Sequence, residues 1–430
     1  MTETAAVINL GAQQLQAYSS IDRFLVSDRR SPFFVLKGYA GTGKTFLLGE
    51  LERTLGSQIS FVYTAPTNKA TKVLSGTFRG NASCRTIYSL LGIKMVQNDD
   101  RLQLEFPKRA ANLSVFDCIV VDESSMLPTI LLDYIVEIVR DRRVKFIFVG
   151  DPAQLQPVGE SISPVWKLDV DNDHTFELTD VMRYDNELLE LATHIRKLIQ
   201  RFPRGRLHLH SNHSDLEGVW KYRHRAWERN VKRAAANGLF LQPDHTKVLA
   251  WRNKTVKEMN ELVRQEQFGR ESRNQWIVGD RVMVAEPVQA GSHIIANIDD
   301  EGTVVERDIG RHALYKELDV YHLTVQLDDE RAIRITVPHE RSEVQLQTML
   351  SNMAAEARRD TTKWRNFWGL YNSVHRIRYG YASTAHRAQG SSYENAFVNT
   401  VDILSNSNTL EALKCLYVTS TRPRKRLILL

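Results

Sequence analysis

The sequence predicts an α/β protein built from two parallel-sheet layers, each carrying an insertion, and three observations carry that expectation. Short β-branched apolar runs repeatedly end in polar or glycine-rich turns that lead into helix-like segments. Strands that alternate with helices imply a parallel sheet covered on both faces, whose ligands gather at the strands' carboxyl ends. The stretch 276–337 instead shows short alternating strands separated by Gly, Asp and Asn, the pattern of a small antiparallel barrel.

Four units establish the first layer: FFVLKGYAGTGKT (33–45), ISFVYTAPTNKA (59–70), FDCIVVDESSM (116–126) and VKFIFVGDPAQL (144–155). Between the second and third, GIKMVQNDDRLQLEFPKR (92–109) reads as a β-hairpin turning at Asn98, Asp99 and Asp100. The text becomes helical from about 184, and HTKVLAWRNKTVKEMNELVR (245–264) reads as a strand followed by a helix. The barrel strands WIVGDRVMVAEP, EGTVVERD, DVYHLTVQL and RAIRITVP come next, then a helical stretch. IRYGYASTAHRAQG (377–390), ENAFVNTVDIL (394–404) and CLYVTSTRPRKRLILL (415–430) return to strand-and-turn style.

The turns carry the chemistry. GYAGTGKT, Gly38 to Thr45, satisfies GxxxxGK[ST] between a predicted strand and a predicted helix. Backbone N–H groups around Gly41, Thr42 and Gly43 would hold ATP phosphates, Lys44 would reach the β and γ oxygens, and Thr45 would ligate Mg²⁺. VVDESS (120–125) places two adjacent carboxylates at a strand end: Asp122 is the expected Mg²⁺ partner, and Glu123 the group that orients and deprotonates the attacking water. GDPAQLQP (150–157) should bring Gln154 near the γ-phosphate. Gln14, ahead of the first strand, could read the adenine edge. Arg183 in LTDVMRY and Arg422 in YVTSTRPR lie outside the four units, and an arginine brought from a second domain can neutralise charge on the transferring phosphoryl group.

Composition narrows the classes without choosing among them. Of the residues, 42% are hydrophobic and 25% charged, which excludes disordered and disulfide-scaffold chains. Lys plus Arg number 57 against 51 Asp plus Glu, a charge of +6 that favours an anionic partner without naming it. Cys84, Cys118 and Cys415 form no metal-ligand spacing and fit a reducing cytoplasm. MTETAAVINL lacks a basic n-region, and no run approaches the roughly 18 apolar residues of a membrane span, so neither export nor membrane insertion is expected.

In order, the Gln14 segment, GYAGTGKT, TAPTNKA, TIYSLLG, VVDESS, GDPAQLQP, LTDVMR, YASTAHRAQG and YVTSTR resemble the superfamily 1 helicases of the RecD-like branch, and the Dda-like members most. The likeness extends to WRNFWGLYNSVHRIRYGYASTAHRAQG (364–390). It implies two RecA-like motor domains: 1–175 with a hairpin insertion at 87–110, and 176–275 with 378–430. An SH3-like barrel and helical insertion would occupy 276–377. It further implies that Lys44, Thr45, Asp122, Glu123, Gln154, Arg183 and Arg422 serve the ATPase, that Gln14 reads adenine, and that Gln389 and Gly390 couple ATP to DNA. Candidate single-strand contacts are Pro66, Thr67, Asn68, Thr86, Asn253, Thr384 and His386, with Phe106 the candidate aromatic tip of a strand-separating pin. Tyr88 stands where many relatives have His. The implied activity is unwinding of DNA with 5′ to 3′ translocation by a cytoplasmic, functional monomer. Its partners would be single-stranded DNA, single-strand/duplex junctions, and replication or single-strand-binding proteins. The other reading of the phosphate loop is an ATPase that switches or remodels proteins.

Other features are expected to be structural. His208, His210 and His213 in HLHSNH suggest zinc, but no Cys or carboxylate completes a convincing set, and a solvated linker is expected. VWKYRHRAWERNVKR (219–233) reads as an amphipathic helix with buried tryptophans and a basic solvated face. Trp364, Phe367, Trp368 and Tyr371 fall at helical spacing and are expected to form a core stripe.

Overall fold

The computed structural model describes residues 10–27, 32–78, 82–98, 101–140, 143–157, 159–180, 187–214, 216–290 and 293–430. The chain divides into two compact units. The first comprises residues 1–220, 388–392 and 403–427, and the second residues 221–387, 393–402 and 428–430. Among the described residues, no helix is long and apolar enough to cross a membrane.

The first unit begins with α1 (Ala12–Val26), β1 (Phe33–Gly38), α2 (Lys44–Leu55), β2 (Phe61–Ala65), α3 (Asn68–Ser75), β3 (Ser83–Thr86) and α4 (Ile87–Leu91). The hairpin β4 (Lys94–Asn98) and β5 (Arg101–Glu105) follows. Next come β6 (Cys118–Val121), α5 (Thr129–Val139), β7 (Lys145–Gly150), β8 (Thr175–Leu178) and α6 (Glu187–Gln200). A short antiparallel pair, β9 (Asn212–His213) with β10 (Gly218–Lys221), closes this stretch. The large sheet has the order β3-β2-β6-β7-β1-β8, and all of its pairings are parallel.

Alternation along each strand explains the two cores. Phe34, Leu36, Tyr63, Val120 and Ile147 face α1 and α2, where Ile21, Phe24, Leu47 and Leu51 meet them. Phe33, Val35, Val62, Ile119 and Phe146 face the other side, against Ile87 and Leu91 of α4 and Leu131 and Ile135 of α5. A strand covered on both faces reads as an unbroken apolar run, which is why FFVL, CIVV and KFIFV stood out in the sequence. β3 and β8, the edge strands, are short and only partly buried, and no sequence pattern announced them.

The second unit runs through α7 (His224–Ala236), β11 (Thr246–Ala250), α8 (Asn253–Phe268), β12 (Arg281–Val284), β13 (Val288–Ala290), β14 (His293–Ala296), β15 (Glu301–Arg311), β16 (Asp319–Leu327) and β17 (Ala332–Pro338). It continues with α9 (Glu340–Arg359), α10 (Trp364–Tyr371), β18 (Ile377–Tyr379), β19 (Ala382–Thr384), β20 (Tyr393–Val398) and α11 (Thr400–Leu404). β11 lies between β19 and β20, parallel to both. The barrel-like insertion is a five-stranded antiparallel sheet, β17-β16-β15-β12-β18, that buries Tyr321, Leu323, Val325, Ile333, Ile335 and Val337 on one face. It is tied to α8 by a buried ion pair: Arg264 donates twice to Asp280, at 2.7 and 2.9 Å. Asp280 also accepts from the Ile277 amide and the Tyr381 hydroxyl, each at 2.8 Å.

The chain ends with α12 (Thr409–Ser420) and β21 (Pro423–Leu429). The strand-and-turn expectation for 415–430 therefore fails over CLYVTS, which is helical. α12 is buried along its whole length from Ala412 to Ser420 and packs on α6, so it shows no polar face to reveal its period. Two aromatic expectations change as well. In 219–233 a strand comes first and the helix starts only at His224; Trp227 is buried, but Trp220 is half-buried and stacks on His213 at 4.7 Å. The α10 stripe is core only in part: half-buried Phe367 and Tyr371 pack on the cluster of Leu318, Leu346, Leu350 and the fully buried Leu370, whereas Trp364 is half-buried and Trp368 is exposed.

Candidate active site

The site grows from the carboxyl ends of the first unit's strands. After β1 the chain turns through Gly41 and Gly43, at φ 83° and 76°, a left-handed region that glycine enters without the Cβ penalty. α2 then starts at Lys44, its N-terminal amides facing the loop. Space beside β1 is tight: a Cβ on Gly38 would lie 2.8 Å from Thr42 Oγ1. The Lys44 ammonium donates to the carbonyls of Gly38 (2.7 Å) and Tyr39 (3.1 Å), and Thr45 follows it, half-buried.

Gln14 comes to this loop from α1. It is buried, with Oε1 accepting from the Gly11 amide (3.0 Å) and Nε2 donating to the Thr42 carbonyl (3.1 Å). In this structure the glutamine braces the phosphate loop, a contact that spacing alone could not reveal.

Asp122 and Glu123 follow β6. Burial raises the Asp122 carboxyl above its ordinary pKa, while the nearby Lys44 charge opposes that rise. Glu123 is pushed up to about 7, first by burial and then by Asp122, with Arg422 and Lys44 opposing. Its backbone is left-handed, at φ 50°, a costly conformation for a non-glycine residue and one that recurs at functional sites. Among the described residues, Glu123 Oε2 and Gln154 Oε1 are buried with no hydrogen-bond partner. Buried polar atoms are nearly always paired. Two unpaired oxygens beside a lysine, two carboxylates and a helix N-terminus therefore suit a phosphate-bearing ligand with its cation.

The late segments bring more groups into the same unit. Gln389 is buried, its amide 3.3 Å from Ser125 Oγ, next to the acidic pair. Gly390 sits at φ 74°, and a Cβ there would approach Ala70 to 3.1 Å. Arg422 is buried and donates to the carbonyls of Val418 and Ser391, each at 3.0 Å. Arg183 lies outside the described residues.

Tyr417 is a residue the sequence reading missed. Its hydroxyl accepts from the Ala40 amide (3.1 Å) in the phosphate loop and donates to Asp151 Oδ2 (2.7 Å) after β7. Asp151 is fully buried, and burial raises its pKa. The only signal in the sequence was the tyrosine of YVTSTR, which composition does not distinguish from a packing residue.

The expected single-strand contacts are distributed over both units. In the first, Pro66, Thr67 and Asn68 follow β2 and Thr86 ends β3; the Thr67 and Thr86 hydroxyls cap α3 and α4 by accepting from Ala70 and Ser89 amides. In the second, Asn253 is exposed at the start of α8, Thr384 ends β19, and His386 follows it. Phe106 needs correction. It stands just past β5, at the end of the hairpin where Lys94 pairs with Glu105, with its ring 4.8 Å from Tyr134 and packed on the core, so it is a hairpin-base residue and not a tip. Tyr88 packs on the same core. The linker histidines also gain neighbours that the sequence hid, since His208 and His210 share a pocket with Glu187, Glu190 and His194 of α6.

A parallel sheet with a phosphate loop after one strand and an acidic pair after another defines a RecA-like nucleoside triphosphatase. Residues 9–218 match the AAA domain family, and residues 379–430 match the UvrD-like helicase C-terminal domain. The ATP-dependent DNA helicase dda of Enterobacteria phage T4 is 27% identical, over 90% of this chain and 92% of its own length. An uncharacterized protein of Acanthamoeba polyphaga mimivirus is 24% identical, over 96% and 98%. Two solved structures share the fold. One, from work on unwinding of forked dsDNA by two coordinating Pif1 helicases, has a TM-score of 0.54 at 18% identity, covering 98% of this chain and 92% of that one. The other, Bacteroides Pif1 with ADP-AlF3 and ssDNA, has a TM-score of 0.51 at 18% identity, covering 96% and 91%. These matches support a superfamily 1 helicase related to Dda and RecD.

Proposed function

We propose that the chain is an ATP-dependent DNA helicase that moves 5′ to 3′ along single-stranded DNA and unwinds duplex ahead of it. The observation that carries this is the meeting of Gln389 and Arg422 with Lys44, Glu123 and Gln154 in one compact unit. A phosphate-loop switch or remodeller needs only the elements before residue 160, whereas a DNA motor needs the later ones as well. The proposed motor domains, 1–175 with the 87–110 hairpin and 176–275 with 378–430 carrying the 276–377 insertion, differ from the compact units, which group 176–220, 388–392 and 403–427 with the phosphate loop.

The residues then divide the work. Amides of Gly41 to Lys44 cradle phosphates, and Lys44 exchanges its carbonyl acceptors for the β and γ oxygens. Thr45 and Asp122 would hold Mg²⁺, which supplies charge neutralisation at those oxygens. Glu123, its pKa already raised, takes the proton of the attacking water, and Gln154 orients that water at the γ-phosphate. Arg422, with Arg183 assigned the same part, neutralises charge developing on the transferring group. Strand contacts at Pro66, Thr67, Asn68 and Thr86 in one unit, and at Asn253, Thr384 and His386 in the other, would grip mainly phosphates. Binding would then weaken steeply with salt and show little sequence preference.

Unwinding of duplexes carrying a 5′ or a 3′ single-stranded tail tests the proposal, with Glu123→Gln as the inactive control. Unwinding from the 5′ tail alone, with ATPase stimulated by single-stranded DNA, is expected. Unwinding from a 3′ tail alone refutes the polarity, and ATPase indifferent to DNA refutes the motor.

A further inference from the structure

Histidines and glutamates that the ATPase chemistry does not use gather at one place in the first unit. A pocket of about 260 Å³ lies between α6 and the chain that runs into β9: Glu187, Glu190 and His194 line it from the helix, and His208, His210 and Asn212 from the chain. On α6, Glu187, Glu190 and His194 fall at i, i+3 and i+7 and so share one face, with Glu190 and His194 direct i, i+4 neighbours. Opposite them burial alternates, since Leu207 and Leu209 are half-buried whereas His208 and His210 are exposed, the period of extended backbone. A helical spacing and an extended one thus bring their donors to the same pocket.

The details suit a metal ion better than a plain polar surface. His194 Nε2 accepts from the His208 amide at 3.4 Å, so that nitrogen presents a lone pair to a bond too long to be strong. The His194 and His208 ring centroids are 6.3 Å apart, and rotation about their side-chain torsions lets one ion take a nitrogen from each at about 2.0–2.1 Å. Asn212 Nδ2 donates to Glu190 Oε2 at 2.6 Å, which orients the carboxylate and leaves Oε1 for coordination, as outer hydrogen-bond partners do at metal sites. Leu191 and Val219, both buried, add apolar surface that lowers the local dielectric and strengthens the hold on a cation.

We infer that His194, His208 and His210, with the Glu190 carboxylate, form a four-ligand site for a divalent ion of the zinc class. Three imidazoles and one carboxylate favour zinc, cobalt or nickel over magnesium, which prefers oxygen donors, so the site does not compete for the Mg²⁺ assigned to Thr45 and Asp122. The ion would act as a clip that ties the 201–207 chain back to α6. The last residue of that helix, Gln200, donates to the hydroxyl of Tyr39 in the phosphate loop at 2.7 Å, so the clip would steady a helix that touches the loop. The inference does not depend on the helicase reading.

The test uses the full chain without an affinity tag or nucleotide, in excess Mg²⁺, titrated calorimetrically with Zn²⁺. One equivalent should bind, and Co²⁺ in its place should give the visible bands of a tetrahedral nitrogen and oxygen site. Loss of even an outer partner costs a metal site about 10–100-fold in affinity, so His194→Ala and His208→Ala should each weaken Zn²⁺ by at least about tenfold. Trypsin gives a second readout. Arg201, Arg204 and Arg206 are exposed, and Zn²⁺ should slow cleavage after them in the wild type but not in His208→Ala. A wild-type chain that binds no Zn²⁺ in excess Mg²⁺, an affinity unchanged when both histidines are replaced, or a thiolate-to-cobalt charge-transfer band overturns the inference. Cleavage that Zn²⁺ slows equally in wild type and His208→Ala overturns it as well.

Discussion

Removing one oxygen atom from Tyr417 tests whether the phosphate loop is held by the hydroxyl that links it to Asp151. Tyr417→Phe preserves the buried ring but strips Asp151 Oδ2 of a 2.7 Å donor and the Ala40 amide of its acceptor. A hydrogen bond to a charged group contributes about 1.5–3 kcal/mol, and Asp151, with no exposed surface, cannot turn to water for a replacement. A loss of about 2 kcal/mol in a unit of this size corresponds to a melting point lower by roughly 4–8 °C. The effect should depend on pH in one direction. The Tyr417 bond favours ionised Asp151, so the variant's folded-state pKa lies still higher than the already raised wild-type value. The deficit is complete where Asp151 is ionised in both proteins and shrinks as the pH falls through the raised range, where both become protonated. Thermal melts of both proteins from pH 7.5 downward, together with the affinity for a non-hydrolysable ATP analogue, provide the assay. Melting within about 1 °C of wild type at pH 7.5, or a deficit that does not shrink on acidification, would refute the reasoning.

Three other expectations follow from buried charge and capping. Asp280→Asn leaves Arg264 buried against a neutral amide and should cost the second unit about 3–5 kcal/mol, measurable as a lower urea midpoint of the barrel region. Lys145 donates to the carbonyls of Phe24 (2.7 Å), Leu25 (2.7 Å) and Ser27 (2.6 Å) at the end of α1. Lys145→Met should release that end by about 2 kcal/mol and, because α1 carries Gln14, weaken ATP binding; hydrogen exchange in 12–26 as slow as in wild type would count against this. Burial lowers the His375 pKa below that of the unfolded chain. Its contribution is therefore present above the unfolded value of about 6.5 and lost as the pH falls through the folded value. Protease cleavage within 281–338 should accelerate at acid pH in the wild type, and less so in His375→Asn.

What could be read from the sequence was decided by how each segment is buried. Strands covered on both faces leave continuous apolar runs, and the groups at their ends, Lys44, Asp122, Glu123 and Gln154, could be placed because a parallel sheet puts its chemistry there. β3 and β8 escaped because a four-residue edge strand has too few inward positions to show alternation. α12 escaped for the opposite reason, having no solvated side. Spacing showed that the α10 aromatics share a face, but only packing reveals how much of that face another element covers. The second roles of Gln14 and Tyr417, and the carboxylates beside the linker histidines, depend on contacts between segments far apart in the chain.

The division into units has a consequence for how such a machine is made. The backbone passes from one unit to the other at 220/221, 387/388, 392/393, 402/403 and 427/428. A ribosome therefore delivers the phosphate loop hundreds of residues before Gln389, Tyr417 and Arg422, which complete the same unit. Until they arrive, Asp151 lacks the Tyr417 hydroxyl and Glu123 lacks the Arg422 charge, so a nascent or truncated chain has the loop without these partners. On the helicase reading, the order of synthesis would withhold hydrolysis until Gln389, Tyr417 and Arg422 had joined the phosphate loop.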